Sequence, residues 1–250
     1  MTDAELTRIE QDYGFEFADD HRAFLAAGLP LDTPDAPFIP EVDRTGTWSW
    51  PDWRDGDPDD LRASLDMPHE GVLFQVEHHD FWHPAWGQRP ISTDQALEAA
   101  RQHLAEVPRM VPVCGLRYLP AGRGTYGSPV LSIVYPTDMI AYGADLVDYV
   151  TREFEECDCD DYDPPEPHSH EWTSHRRRCR SRRRTYQSHL PDYVASLPLA
   201  PFWRDIVLAQ CIWDESCRTQ GPPEKPPGWL ALLQQAIDVR HAKSIDTAEL

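Results

Sequence analysis

Two residue types are almost missing from this 250-residue chain: lysine occurs only at Lys225 and Lys243 against 21 arginines, and asparagine does not occur. That bias points to a GC-rich genome, such as that of a high-GC bacterium, and carries no mechanistic content. Long apolar runs are missing too. None approaches the roughly 18 residues needed to cross a bilayer, and Met1-Thr-Asp-Ala-Glu-Leu6 lacks the basic start and apolar stretch of a secretory signal. A cytoplasmic address is therefore expected. Six cysteines are too few for a disulfide framework and are read as reduced thiols.

The common catalytic signatures are also absent: no P-loop, no Gly-x-Ser-x-Gly elbow, no His-Glu-x-x-His and no Gly-x-Gly-x-x-Gly. Gly122-Arg-Gly124 followed by Gly127 lacks the third glycine in register. An enzyme with dispersed catalytic residues stays open, built on His21 or His83 with a nearby acid. No cofactor is expected.

What is present is negative charge. Forty-three acidic residues against 23 basic ones give a formal charge of -20, which repels nucleic acid and makes a basic partner easier to accept. Solubility alone is the competing explanation. The exception is His175 to Arg184, which holds seven arginines. The arginine run at 176–184 can grip phosphates, fold back on the acidic body, or remain a disordered arm.

Along the chain, Thr2 and Glu5 form a capping box for a helix ending near Gly14. Asp19 or Asp20 caps a second helix carrying Phe24 and Leu25, with Gly28 as its stop. Asp32 to Asp60 reads as a long ordered loop containing Trp48, Trp50 and Trp53. Gly71 to Glu77 is β-rich and bounded by turn formers, which predicts a strand. Ser92 with Gln95 opens a helix with Ala96, Leu97, Ala100 and Leu104 on one face. Met110–Cys114, Val130–Tyr135 and Met139–Tyr142 predict strands, and Ala144–Phe154 a closing helix. Helices outside a run of neighbouring strands make the fold class α+β. The composition then breaks over 156–190 into an acidic, then Pro/His-rich, then Arg-rich linker. Helical pattern returns over 191–250, at Pro201–Trp213 and Trp229–Val239.

Three stretches, taken in order and spacing, resemble the SUKH superfamily, which includes the SMI/KNR-type fungal cell-wall regulator and many bacterial immunity proteins. They are Ala18 to Gly28; Trp50-Pro-Asp-Trp53 through Gly71–His78 to Phe81–Gly87; and Val111–Pro120 with Ser128–Tyr135, Asp138–Gly143 and the closing helix. Together they cover about residues 1–155, and Phe202–Val207 is similar to a segment that follows the core in this group. The stretch between has no counterpart. The resemblance implies a central, largely antiparallel sheet flanked by helices, here with a C-terminal helical appendage of which about 201–213 packs on the core. It also implies a groove for protein partners and no catalytic residues. For bacterial members it implies immunity by binding a co-encoded toxin, to which the net charge adds that the partner is basic; for the fungal relatives it implies a regulatory or scaffold role in cell-wall or stress physiology.

Phe81, Trp82 and Trp86, with Trp48, Trp50 and Trp53, either present an aromatic contact surface or pack over the sheet edge. Asp138, Tyr142 and Asp145 at the last strand either face a groove or cap the following helix. Cys157, Cys159, His168 and His170 invite a metal, as do His78, His79, Asp80 and His83. A Cys-x-Cys with a His-x-His departs from zinc-knuckle spacing, and solvated loop residues explain both sets, so no metal is assigned.

Overall fold

The computed structural model describes residues 1–32, 49–135, 138–154, 190–221 and 228–248. Two helices open the chain. In α1 (Asp3–Tyr13) the capping box forms as expected: Thr2 Oγ1 accepts from the Glu5 N–H at 3.2 Å, and the Glu5 carboxylate accepts from the Thr2 N–H at 2.6 Å. Gly14, at φ 68°, ends it in the left-handed region that glycine alone enters freely. Helix α2 (Asp19–Ala27) follows, then α3 (Pro58–His78), a 3-10 turn at Pro84–Trp86, and α4 (Thr93–Ala105).

The sheet comes next as a meander of β1 (Met110–Cys114), β2 (Arg117–Pro120), β3 (Val130–Tyr135) and β4 (Asp138–Gly143), every neighbouring pair antiparallel. Helices α5 (Leu146–Phe154), α6 (Pro191–Ala195), α7 (Pro201–Gln220) and α8 (Trp229–Ala248) complete the described chain. The fold is α+β, a single antiparallel sheet flanked by helices.

Successive strand residues point to opposite faces, and the sheet uses both. Tyr118, Leu131, Ile133, Met139 and Ala141 face the main core with Val72 and Val76 of α3, Ala96 and Ala100 of α4, Trp203 and Ile206 of α7, and Leu233 of α8. The C-terminal helices thus share one core with the sheet. On the other face Leu119 and Val130 meet Leu146 and Tyr149 of α5. A separate N-terminal cluster gathers Leu6, Ile9, Phe17, Leu25, Trp53, Leu61 and Leu65.

The main correction concerns Gly71–Glu77, expected as a strand and found inside the 21-residue helix α3. Pro68 and Gly71 read as turn punctuation, yet Leu61, Leu65, Pro68, Val72 and Val76 are buried at helical spacing. An interior proline leaves the carbonyl four residues earlier without its donor. Here that carbonyl belongs to Ser64, and the Tyr118 hydroxyl of β2 donates to it at 3.2 Å. The sheet thereby repairs the helix. Strand β2 lay unassigned in the sequence pattern, and α7 and α8 run past their expected ends at Trp213 and Val239.

The remaining tie is ionic. Asp205 of α7 has no exposed surface; Arg240 of α8 donates to it from Nε at 2.6 Å and Nη2 at 3.1 Å, and His83 Nε2 lies 3.4 Å away. Burial pushes the Asp205 carboxyl up, but the His83 and Arg240 contacts outweigh it and hold it below the usual range.

Two outcomes are expected in urea denaturation. Arg240→Met strands a buried carboxylate and should lower stability by about 3–5 kcal/mol. Tyr118→Phe should cost about 1–3 kcal/mol by orphaning the Ser64 carbonyl, but well under ~1 kcal/mol in a Pro68→Ala background, where residue 68 supplies its own N–H.

Candidate functional site

A cleft of about 400 Å³, partly open to solvent, lies where the start of α3 approaches the end of β1. Its walls come from four stretches: Leu31 and Asp32 after α2; Ser49 to Asp52 with Gly56 and Asp57; Asp60, Leu61 and Ser64 on α3; and Pro112 with Gly115. Each wall has a local cause. Asp57 is the N-cap of α3, accepting from the Asp59 and Asp60 N–H groups at 2.8 and 3.3 Å, with Pro58 in the first position that tolerates a missing N–H. Asp52 accepts from the Arg54 and Asp55 N–H groups, both at 3.1 Å. Gly56 closes that turn at a place where a Cβ would sit 2.5 Å from the Asp52 carbonyl oxygen. Asp32 accepts from Ser49 Oγ at 2.6 Å and the Trp50 N–H at 3.3 Å, and Gly115 donates its N–H to the Ser49 carbonyl at 2.8 Å. The Trp50 ring packs between Phe24 and Phe154, with centroids at 6.0 and 5.0 Å.

Among the described residues, four carboxylates and no basic side chain line the cleft. The two arginines of this part of the chain pair elsewhere: Arg54 with Glu5 at 2.9 Å and Arg62 with Asp59 at 3.1 Å. Asp52 and Asp57 each use Oδ1 for the backbone, which leaves their second oxygens, and both of Asp60's, without a hydrogen bond among the described residues. An ammonium or guanidinium entering here would meet the open acceptors of Asp52, Asp57 and Asp60.

The expected site residues are placed elsewhere. Trp53, Phe81 and Trp82 are 3%, 1% and 6% exposed, so they pack inside the fold and offer no contact surface. Trp53 meets Tyr13, Phe15 and Phe17. Trp86 is half-buried, stacked between His103 at 5.3 Å and Phe202 at 5.4 Å, with both ring faces covered. Burial wins because rings this large gain most by leaving water.

Asp145 takes the capping role: its Oδ1 accepts from the Asp148 N–H at 2.7 Å and its carbonyl from the Tyr149 N–H at 3.0 Å. Tyr142 donates its hydroxyl to the buried Glu153 at 3.1 Å and lies under the Arg117 guanidinium at 3.9 Å. Asp138 is exposed at the start of β4, where its charge adds to burial in raising the Asp214 carboxyl.

His83 does meet an acid, Asp205, but both are sealed in the core, while neither His21 nitrogen has a hydrogen-bond partner among the described residues. Cys157, Cys159, His168 and His170, Trp48 and the arginine run lie outside the described residues. Among those described, no three His, Cys, Asp or Glu side chains converge as metal ligands, and no helix is long and apolar enough to cross a membrane. Cys114, Cys211 and Cys217 form no disulfide among the described residues, and burial pushes the first two thiols up to about 12.

Sequence reasoning passed over Asp52, Asp57 and Asp60. The available signal was the acid density of Asp52-Trp-Arg-Asp-Gly-Asp-Pro-Asp-Asp60 just ahead of a helix start. The two kinds of aspartate are separable by experiment: Asp57→Ala should cost about 1 kcal/mol in urea denaturation through loss of the cap, whereas Asp60→Ala should stay within about 0.5 kcal/mol of wild type. Comparison of the chain with family models, curated proteins and solved structures finds no match.

Proposed function

We propose that this protein is a non-catalytic binding module of immunity type, which docks a basic protein partner at the acidic cleft and neutralises it stoichiometrically in the cytoplasm. The observation that carries the reading is a partly open cleft lined, among the described residues, by four aspartates, Trp50 and no cation. A formal charge of -20 extends that field over the whole molecule and would speed encounter with a positive surface. The resemblance to the SUKH superfamily supports the same conclusion from the sequence side, and an antiparallel sheet flanked by helices is the architecture that resemblance implies.

The docking step follows from the site's chemistry. A lysine or arginine of the partner enters beside Asp60, and the unused oxygens of Asp52 and Asp57 accept its remaining N–H groups. The partner is inactivated by occlusion, so no bond is made or broken.

The test is capture by the tagged protein from its own cells at low salt. One stoichiometric basic protein is expected, its association slowed by raising ionic strength. The triple variant D52N/D57N/D60N should lose capture while keeping its fold, since asparagine caps a helix as well as aspartate. Capture indifferent to both salt and the triple substitution would overturn the reading. A spread of weak partners that vanishes on deleting 156–190 would instead support a regulatory scaffold.

A further inference from the structure

His21 sits in the first turn of α2, 1% exposed, edge-on to Phe17 at 5.1 Å, with neither ring nitrogen hydrogen-bonded among the described residues. Around it, α2 is held to the loop between β2 and β3 by a set of short polar contacts. Asp19 accepts from the Gly124 N–H at 3.3 Å, Asp20 from the Gly127 N–H at 3.0 Å, and the Asp19 N–H donates to the Thr125 carbonyl at 2.9 Å. On α1, the buried Glu10 accepts from Arg22 at 2.9 Å, from Arg123 of the loop at 2.7 Å and from the Phe17 N–H at 3.0 Å, while Arg22 also pairs with Asp3. The charged groups that tie the three elements together, Asp3, Glu10, Asp19, Asp20, Arg22 and Arg123, are thus committed to one another or to the backbone. None is hydrogen-bonded to the imidazole.

A neutral ring in such a place is tolerable, whereas an imidazolium would be a buried charge with no counter-ion. We propose that His21 is an acid-sensitive latch: while neutral it lets α2 stay closed on the β2–β3 loop, and protonation releases that helix and loop from each other. This device lies outside the acidic cleft and does not depend on the binding function.

Burial alone pushes the ring down to about 3, against an ordinary 6.5 once α2 opens and the ring meets water. Between these values the released state binds a proton that the closed state refuses, so opening is unaffected above pH ~6.5 and grows more favourable as pH falls below it. At pH 5 the opening equilibrium should exceed that at pH 7.5 by about thirtyfold.

Hydrogen exchange read by NMR, corrected for intrinsic rates, tests this on the full chain. Protection of the Gly124, Gly127 and α2 amides should fall by about thirtyfold between pH 7.5 and 5.0, while β3 amides keep theirs. In His21→Phe the acid-dependent fall should vanish. The same fall in that variant would overturn the proposal. Should His21→Phe not fold, the ring C–H resonances of the wild type decide: titration near pH 6.5 in the closed protein overturns the latch, and no titration above pH 5 upholds it.

Discussion

Asp205 has no contact with water, and three distant stretches of chain meet around it: the segment before α4 through His83, the middle of the core through α7, and the last helix through Arg240. A buried carboxylate is costly unless donors surround it, so the arrangement is tolerable only when all three are in place. That requirement fixes where α8 lies along α7 and brings the Pro84–Trp86 turn against Phe202. Apolar packing alone is less selective, since helices can slide past one another with small losses. The ion pair adds directionality to a core whose bulk comes from Trp203, Ile206 and the sheet.

The parts of the fold that were legible in sequence are those governed by neighbours within a few residues. Thr2 and Glu5 announce α1, Gly14 ends it, and the closing helix after β4 follows from the spacing of Leu146, Tyr149 and Val150. Helix α3 was misread because two local signals, Pro68 and Gly71, contradict a longer one, the burial rhythm from Leu61 to Val76. The contradiction is resolved by Tyr118, some fifty positions away, and no local reading contains it.

The site was less legible than the fold for a related reason. The large aromatics were correctly noticed, yet residue type does not say which face of a ring reaches water; Trp82 and Trp50, similar in sequence context, end in the core and on a cleft wall. The cleft aspartates were present as a dense acidic stretch, but Asp32 and Pro112 join them only through tertiary structure. Three of these carboxylates have ordinary structural employment as cap, turn former and bracket. Their placement as one negative surface is a by-product of that employment, and it leaves spare acceptors where a cation can reach them.

The bracket between Asp32 and Ser49 has its own consequence. Because these residues are hydrogen-bonded to each other, the chain between them begins and ends at one point on the body, and Gly115 fastens that point to the sheet. One side-chain pair thus sets the spacing of two cleft walls, Asp32 after α2 and Ser49 ahead of Trp50, so losing the Ser49 hydroxyl would loosen both at once.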